Sequence, residues 1–484
     1  AIELPLDEAQ ILIAGEDLQS GQSRPGTTDR RRQGLHEGML SWRWRQRLGL
    51  HRRGRHRMEL CHAVLNLPFS GPPLDHWTLP NGVRCVTADM PDAPLTCLDL
   101  WCRAGSASEQ PGEEGMAHFL EHMVFKGSER LAAGAFDEAI EALGGSSNAA
   151  TGFDDVHFHV LTPPDRAREA LDLLLELVLQ PSLEPDGFNT ERGVVLEEIA
   201  QYADQPNEQV LQLLLSKGCD QHPYGRPILG TPRSLEAMTP EAMRAFHQRQ
   251  YRGSNCCLAM AGPSSAELRS ALGSSALADL LDAPEPSSPS SPLSVRPGRE
   301  SVVVDRLESA RLLMLWEAPR AQDQTGVMAA DLATTLLGEG RRSRLVNRLR
   351  EELQIVESVS MDLSVLEQGS LITLEVICPD EHLEAVEDEV NRQLRAMAEE
   401  LVSDQELKRG QQLVSNGLRY ALESTGQVSG LSASQTLWDR QQDLLHPLAF
   451  LPPWTAERLR SDLFPRLQPE QAFVLTAQAK TKNG

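Results

Sequence analysis

The sequence predicts an α+β protein of two domains, and three observations predict it. The chain has 484 residues, about three times the commonest domain size. Strand-like and helix-like hydrophobic periods are mixed in both halves. Between the halves, Asp282 to Glu300 is rich in serine and proline (D-A-P-E-P-S-S-P-S-S-P) and reads as a linker. The division that follows is residues 1–75 as an extension, 76–281 as a first domain, 282–300 as the linker and 301–484 as a second domain.

The elements follow in order. Trp77 to Val86 reads as strand, Asn-Gly turn, strand, a hairpin signal. Leu95 to Cys102 is an apolar strand. The stretch G-M-A-H-F-L-E-H-M-V-F-K-G at 115–127 is an amphipathic helix with a glycine stop at Gly127. Asp137 to Leu143 is a further helix, and Ser147 to Thr151 and Val156 to Leu161 are strands. Asp165 to Leu179 has helical period, with Leu171, Leu174, Leu175 and Val178 on one side. The next helix is expected to open near Asn189. In the second half, Leu312 to Trp316 is a strand and Gly326 to Leu337 a helix, and Gly338 to Leu345 leads into another.

Composition excludes several classes. The net charge of −23 argues against nucleic acid or an anionic membrane as the main partner, since both demand a basic footprint. No apolar run approaches the roughly 20 residues of a membrane helix. Eight cysteines include no C-x-x-C pair, so they read as buried free thiols of a reducing compartment; together with the lack of a visible signal peptide this gives a cytoplasmic expectation. Residues 1–75 differ from the rest. Asp29 to Arg57 carries ten arginines against two acids with poor periodicity, which reads as a disordered or loosely docked extension.

The chemistry is concentrated in His118-Phe119-Leu120-Glu121-His122, the H-x-x-E-H order of inverted zinc peptidase motifs. On a helix, His118 and His122 lie one turn apart on one face and can reach one zinc ion. Glu121 points to nearly the same side, as a general base for water must. Two histidines need a third protein ligand, with a fourth position left open for catalysis. Glu191 and Glu198 are candidates: with Val194 and Val195 they share one predicted helical face. His157 and His159 share a strand face and could also ligate, but a solvated or hydrogen-bonded strand face is the commoner use of that pattern.

Together these stretches resemble the M16 (pitrilysin-like) zinc metallopeptidases, in their bacterial and mitochondrial-processing-peptidase branch. The marks are L-P-N-G at 79–82, G-S at 105–106, the 115–127 stretch, G-G-S-S-N-A-A-T at 144–151, E-R-G-V-V-L-E-E-I at 191–199, S-R-L at 343–345 and R-E at 350–351. The resemblance implies two homologous LuxS/metallohydrolase-like domains, each an antiparallel-rich sheet packed with helices, only the first holding metal. It implies one Zn2+ bound by His118, His122 and Glu198, the last 198 − 122 = 76 residues beyond the second histidine. Glu121 becomes the catalytic base and Glu191 the group that orients the ligands, while Glu197 is one residue off the face. Asn148 and Ala149 would bind substrate as part of an edge strand that pairs with the peptide backbone. The expected activity is zinc-dependent endopeptidase action on peptides or unfolded segments.

One departure bears on assembly. Active members carry an Arg and a Tyr in a second-half strand region, and the matching stretch, Met361 to Ile372, contains neither. Tyr420, beside Arg419, has the wrong spacing, and Glu357 stands where a tyrosine is common. The expectation is a dimer: either a homologous partner subunit that supplies the pair, or a homodimer. The alternative, a non-catalytic core or scaffold subunit of the same family, is disfavoured because such subunits have broken metal motifs, whereas all three ligands and the base are present here.

Overall fold

The computed structural model describes residues 71–263, 266–282 and 292–480. The extension expected over 1–75 therefore lies outside the described residues up to residue 70, as does 283–291 of the linker.

The first sheet begins with the expected hairpin. Strands β1 (Leu74–Thr78) and β2 (Arg84–Asp89) pair antiparallel, so the domain opens two residues earlier than its predicted start. Gly82 turns at φ +88°, a conformation that favours glycine, and Asn81 Nδ2 donates to the carbonyls of Leu277, Ala278 and Leu280. Then come β3 (Thr96–Cys102), α1 (Met116–Val124), α2 (Ala135–Ala142), β4 (Ser146–Thr151), β5 (Val156–Thr162), α3 (Ala167–Leu179), α4 (Pro185–Ala203), α5 (Pro206–Gly218), α6 (Pro232–Ala237), α7 (Pro240–Gln250), β6 (Cys256–Gly262) and α8 (Ala266–Leu272). Helix α4 opens four residues before the predicted Asn189, because Pro185 occupies its first turn, where a missing N–H costs nothing.

The second half contributes β7 (Gly298–Val304), β8 (Ala310–Ala318), α9 (Gln324–Gly338), β9 (Ser358–Ser364), β10 (Ser370–Cys378), α10 (Leu383–Glu399), α11 (Asp404–Ala421), α12 (Thr425–Leu437) and β11 (Phe473–Ala479). Strand β7 takes Gly298 to Glu300 out of the predicted linker. These three residues pair with Phe473 to Leu475, a long-range ladder that no local signal announces.

The sheets run β1-β2-β6-β3-β5-β4 and β7-β11-β8-β10-β9. In each, one pair is parallel, β2 with β6 and β7 with β11, and the rest are antiparallel. Without β1, the two orders match strand for strand, so the halves repeat one topology. Each sheet buries one face under helices of its own half. Leu98, Leu100, Phe158 and Val160 meet Phe119, Leu120 and Met123 of α1 and Leu171 and Leu174 of α3. The other faces are covered by exchange. Val210 and Leu214 of α5 pack on Leu313, Leu315 and Leu475 of the second sheet, and Ala433 and Leu437 of α12 pack on Val86, Trp101 and Ala259 of the first. None of the described helices is long and apolar enough to cross a membrane.

Candidate metal centre

Helix α1 is held at its start by the surrounding chain. Gly115 caps it at φ +92°, and a Cβ there would stand 2.5 Å from the Leu229 carbonyl oxygen, so only glycine fits. The cap has no side chain to accept the first helical amides. Glu109 does that instead: its carboxylate accepts from Gly115 N at 3.1 Å and from Ala117 N at 2.9 Å. Burial pushes Glu109 up to about 8, against the downward pull of those amides.

One turn apart on α1, the His118 and His122 rings stand edge to face with centroids 4.7 Å apart. From α4, Glu198 Oε2 lies 3.4 Å from His122 Nε2 and 3.8 Å from His118 Nε2. Two ligand atoms on a tetrahedral zinc, each about 2.1 Å from the ion, are roughly 3.4 Å apart. Glu198 Oε2 is buried and has no hydrogen-bond partner among the described residues. An orphaned carboxylate oxygen facing two imidazole nitrogens has the charge and spacing of a cation site, so the donor set fits zinc.

The surrounding groups orient this set. Glu191 Oε1 is 3.0 Å from His122 Nδ1, and its Oε2 pairs with Lys126 Nζ at 2.7 Å. Burial draws His122 down, yet the carboxylates of Glu191 and Glu198 outweigh it and hold the ring at about 9. Burial raises Glu198 as well, and the His122 and His118 rings more than reverse that. His118 is lowered, first by burial and then by His122. Glu121 Oε2 accepts from Thr151 Oγ1 at 2.5 Å. Thr151 lies on β4, so the helix and the edge strand are joined at the base.

The predicted positions are therefore distributed as follows. His118, His122, Glu198, Glu191 and Glu121 stand together. Glu197 is exposed, off the site. Val194 does not share the inward face predicted for it: it is 47% exposed, whereas Val195 is fully buried, because the buried stripe runs 191, 195, 198 and leaves the i+3 position facing out. Strand β4 is the sheet edge, pairing with β5 alone, and Asn148 Oδ1 accepts from Ala149 N at 3.0 Å. His157 and His159 lie apart from the centre. They alternate with Phe158, whose side is packed against α1, and so face the opposite side of the sheet. Tyr420 lies on α11 and is 55% exposed.

The stretch without the Arg and Tyr is engaged within the chain. Between β9 and β10, Glu367 N donates to Asp154 Oδ2 at 2.7 Å, Gln368 N donates to Tyr224 Oη at 3.1 Å, and Tyr224 Oη donates to Asp154 Oδ1 at 2.6 Å. Arg103 Nε donates to Glu367 Oε1 at 2.9 Å. The network fixes the β4–β5 turn from the second half. Sequence reasoning missed these residues, and also Glu109 and Thr151. For Glu109 a signal existed: a helix opened by glycine needs an outside acceptor, and the acids at 109, 113 and 114 stand just upstream. For the others no local pattern exists, since 213 residues separate Asp154 from Glu367.

Residues 84–232 match the family model described as insulinase (peptidase family M16), and residues 237–414 match the M16 inactive domain. The chain belongs to peptidase family M16. An uncharacterized zinc protease of Mycobacterium leprae is 27% identical over 390 residues, 79% of this chain and 87% of that one. A probable mitochondrial-processing peptidase beta subunit of Arabidopsis thaliana is 33% identical over 204 residues, 42% of this chain and 38% of that one. A Helicobacter pylori protease of known structure superposes with a TM-score of 0.78 at 22% identity, covering 84% of this chain and all of that one. The second M16 model begins at 237, while β6 at 256–262 still belongs to the first sheet.

Proposed function

We propose that this M16 chain is a zinc-dependent endopeptidase acting on peptides or unfolded polypeptide segments, with His118, His122 and Glu198 as metal ligands and Glu121 as general base. The observation that carries the reading is the buried, otherwise unpartnered Glu198 Oε2 set opposite two imidazole nitrogens. When bound, zinc supplies a Lewis acid that makes water nucleophilic near neutral pH and polarises the scissile carbonyl. Glu121 takes the proton of the attacking water on its carboxylate and delivers it to the leaving amine. The Thr151 hydroxyl holds Glu121 Oε2 and so fixes the rotamer of the base. Glu191 holds His122 through Nδ1, which turns Nε2 toward Glu198, while Lys126 balances the second carboxylate oxygen. The edge strand β4, with Asn148 and Ala149, receives the substrate backbone as an added strand; a peptide pairing at Ala149 N displaces Asn148 Oδ1.

The chain works as the catalytic half of a two-subunit enzyme, either with a homologous partner that supplies an Arg and a Tyr or with a second copy. The stretch that would carry that pair holds Glu367, which is committed to Arg103 and Asp154. A cytoplasmic location fits the seven described cysteines, all buried free thiols, of which Cys102 and Cys256 stand 3.2 Å apart without a bond. The test is hydrolysis of a quenched peptide library by the chain alone and with its co-purified partner. Activity is expected to vanish with chelator, return with zinc and rise with the partner. Hydrolysis that persists after complete metal removal would overturn the proposal.

A further inference from the structure

We propose that Asp99, His157 and His159 form a second divalent-metal site on the reverse face of the catalytic sheet. The residues come from neighbouring strands. In register, Asp99 on β3 lies directly across from His159 on β5, and Trp101 lies across from His157, so the three side chains share one face. Their ligand atoms all lie within 4.8 Å of one another, the same bound that His118, His122 and Glu198 meet. Asp99 Oδ1 and His157 Nδ1 share a hydrogen bond at 3.2 Å, which a bound ion would replace; the distance is close to the roughly 3.4 Å that separates two donors on one tetrahedral ion. The two imidazoles stack with centroids 5.8 Å apart and planes at 17°, and Trp101 backs His157 at 4.5 Å.

The setting favours a cation. Asp99 is only 3% exposed, and a buried carboxylate needs a paired charge or a metal. Helix α12 packs over the group at Gly430, where a Cβ would be in van der Waals contact, 3.8 Å from Trp101 and 4.0 Å from Asp99 Oδ2, so glycine lets the helix close over the carboxylate and shield it from water. Two imidazoles and one carboxylate are the donor set of first-row divalent transition ions, zinc, cobalt, manganese or iron(II), and not of calcium or magnesium, which take oxygen ligands. The site lies behind the catalytic layer: Phe158, between the two histidines, packs toward α1 on the other face. It binds without touching the zinc proposed for α1 and α4, and it does not depend on that reading.

The test counts metal ions per chain by elemental analysis after the full chain is loaded with zinc chloride and exhaustively dialysed. Two ions are expected in the unaltered chain. The double variant His118→Ala with His122→Ala is expected to keep one, and adding His159→Ala to reduce it to none. Asp99→Asn, which keeps the shape, guards against misfolding: with an unchanged circular dichroism spectrum it should lower the count from two to one. Cobalt loading of the double variant should give visible d–d absorption that His159→Ala removes. A double variant that binds no metal, or a His159→Ala chain that still binds two, would overturn the proposal. Because the readout is metal content, failure of the peptidase reading would leave this result standing.

Discussion

At the scale of single residues, the centre divides into groups that bind and groups that aim. Glu121 contacts Thr151 and is not one of the three grouped donors. Glu121→Gln is therefore expected to lower peptide hydrolysis by about 10²–10⁴-fold while zinc content stays unchanged. Loss of zinc along with activity would place Glu121 among the ligands instead. Glu191 acts through His122, and its removal should appear in affinity: Glu191→Ala is expected to weaken zinc binding about 10–100-fold, measured by competition with a chromophoric chelator. His118, Glu121 and His122 were legible in the sequence because a helix puts i, i+3 and i+4 together. Choosing Glu198 over Glu191 needed the family resemblance, since residue spacing alone leaves both carboxylates on one stripe. The hydroxyl of Thr151 was invisible as a partner because it reaches Glu121 only through strand pairing.

At the scale of elements, α1 depends on a carboxylate outside itself. Glu109→Ala strips the acceptor from the Gly115 and Ala117 amides and should cost about 1–2 kcal/mol, as loss of a helix cap does; chemical denaturation of the metal-free chain measures it. Helix α7 carries a pH-dependent contribution. His247 Nε2 is 3.0 Å from the Val178 carbonyl oxygen, and burial draws the ring down to about 4. The unfolded chain binds its proton near 6.5, well before the folded one. This contribution is thus fully present above pH 6.5 and is lost as pH falls toward 4, an effect of about 3 kcal/mol. His247→Gln should flatten that part of the stability curve, and an unchanged slope between pH 6.5 and 4 would show that other groups set it. The periods of α1 and α3 were readable as amphipathic stripes. The start of α4 was not, because a proline in a first turn resembles a break until the tertiary setting is known.

At the scale of the whole molecule, the halves repeat one strand order and trade covering helices. Strand order is non-local, and the sequence shows only that strands exist; the exchange of α5 and α12 leaves no mark in periodicity, because a buried helix looks alike whichever sheet it covers. The exchange makes the halves interdependent. Leu214→Ala, on α5 and fully buried against the second sheet, should cost about 2–5 kcal/mol and leave one unfolding transition. A split into two transitions would show that the halves fold separately. The two-subunit arrangement is tested on the same scale: sedimentation of the chain with its partner should show a complex whose peptide turnover exceeds that of either chain alone. Whether two imidazoles of α1 and a carboxylate of α4 hold one zinc is decided by anomalous diffraction at the zinc edge from zinc-loaded crystals. A peak is expected about 2.0–2.2 Å from His118 Nε2, His122 Nε2 and Glu198 Oε2; no peak there, or Glu198 turned away from the ion, would rule this metal centre out.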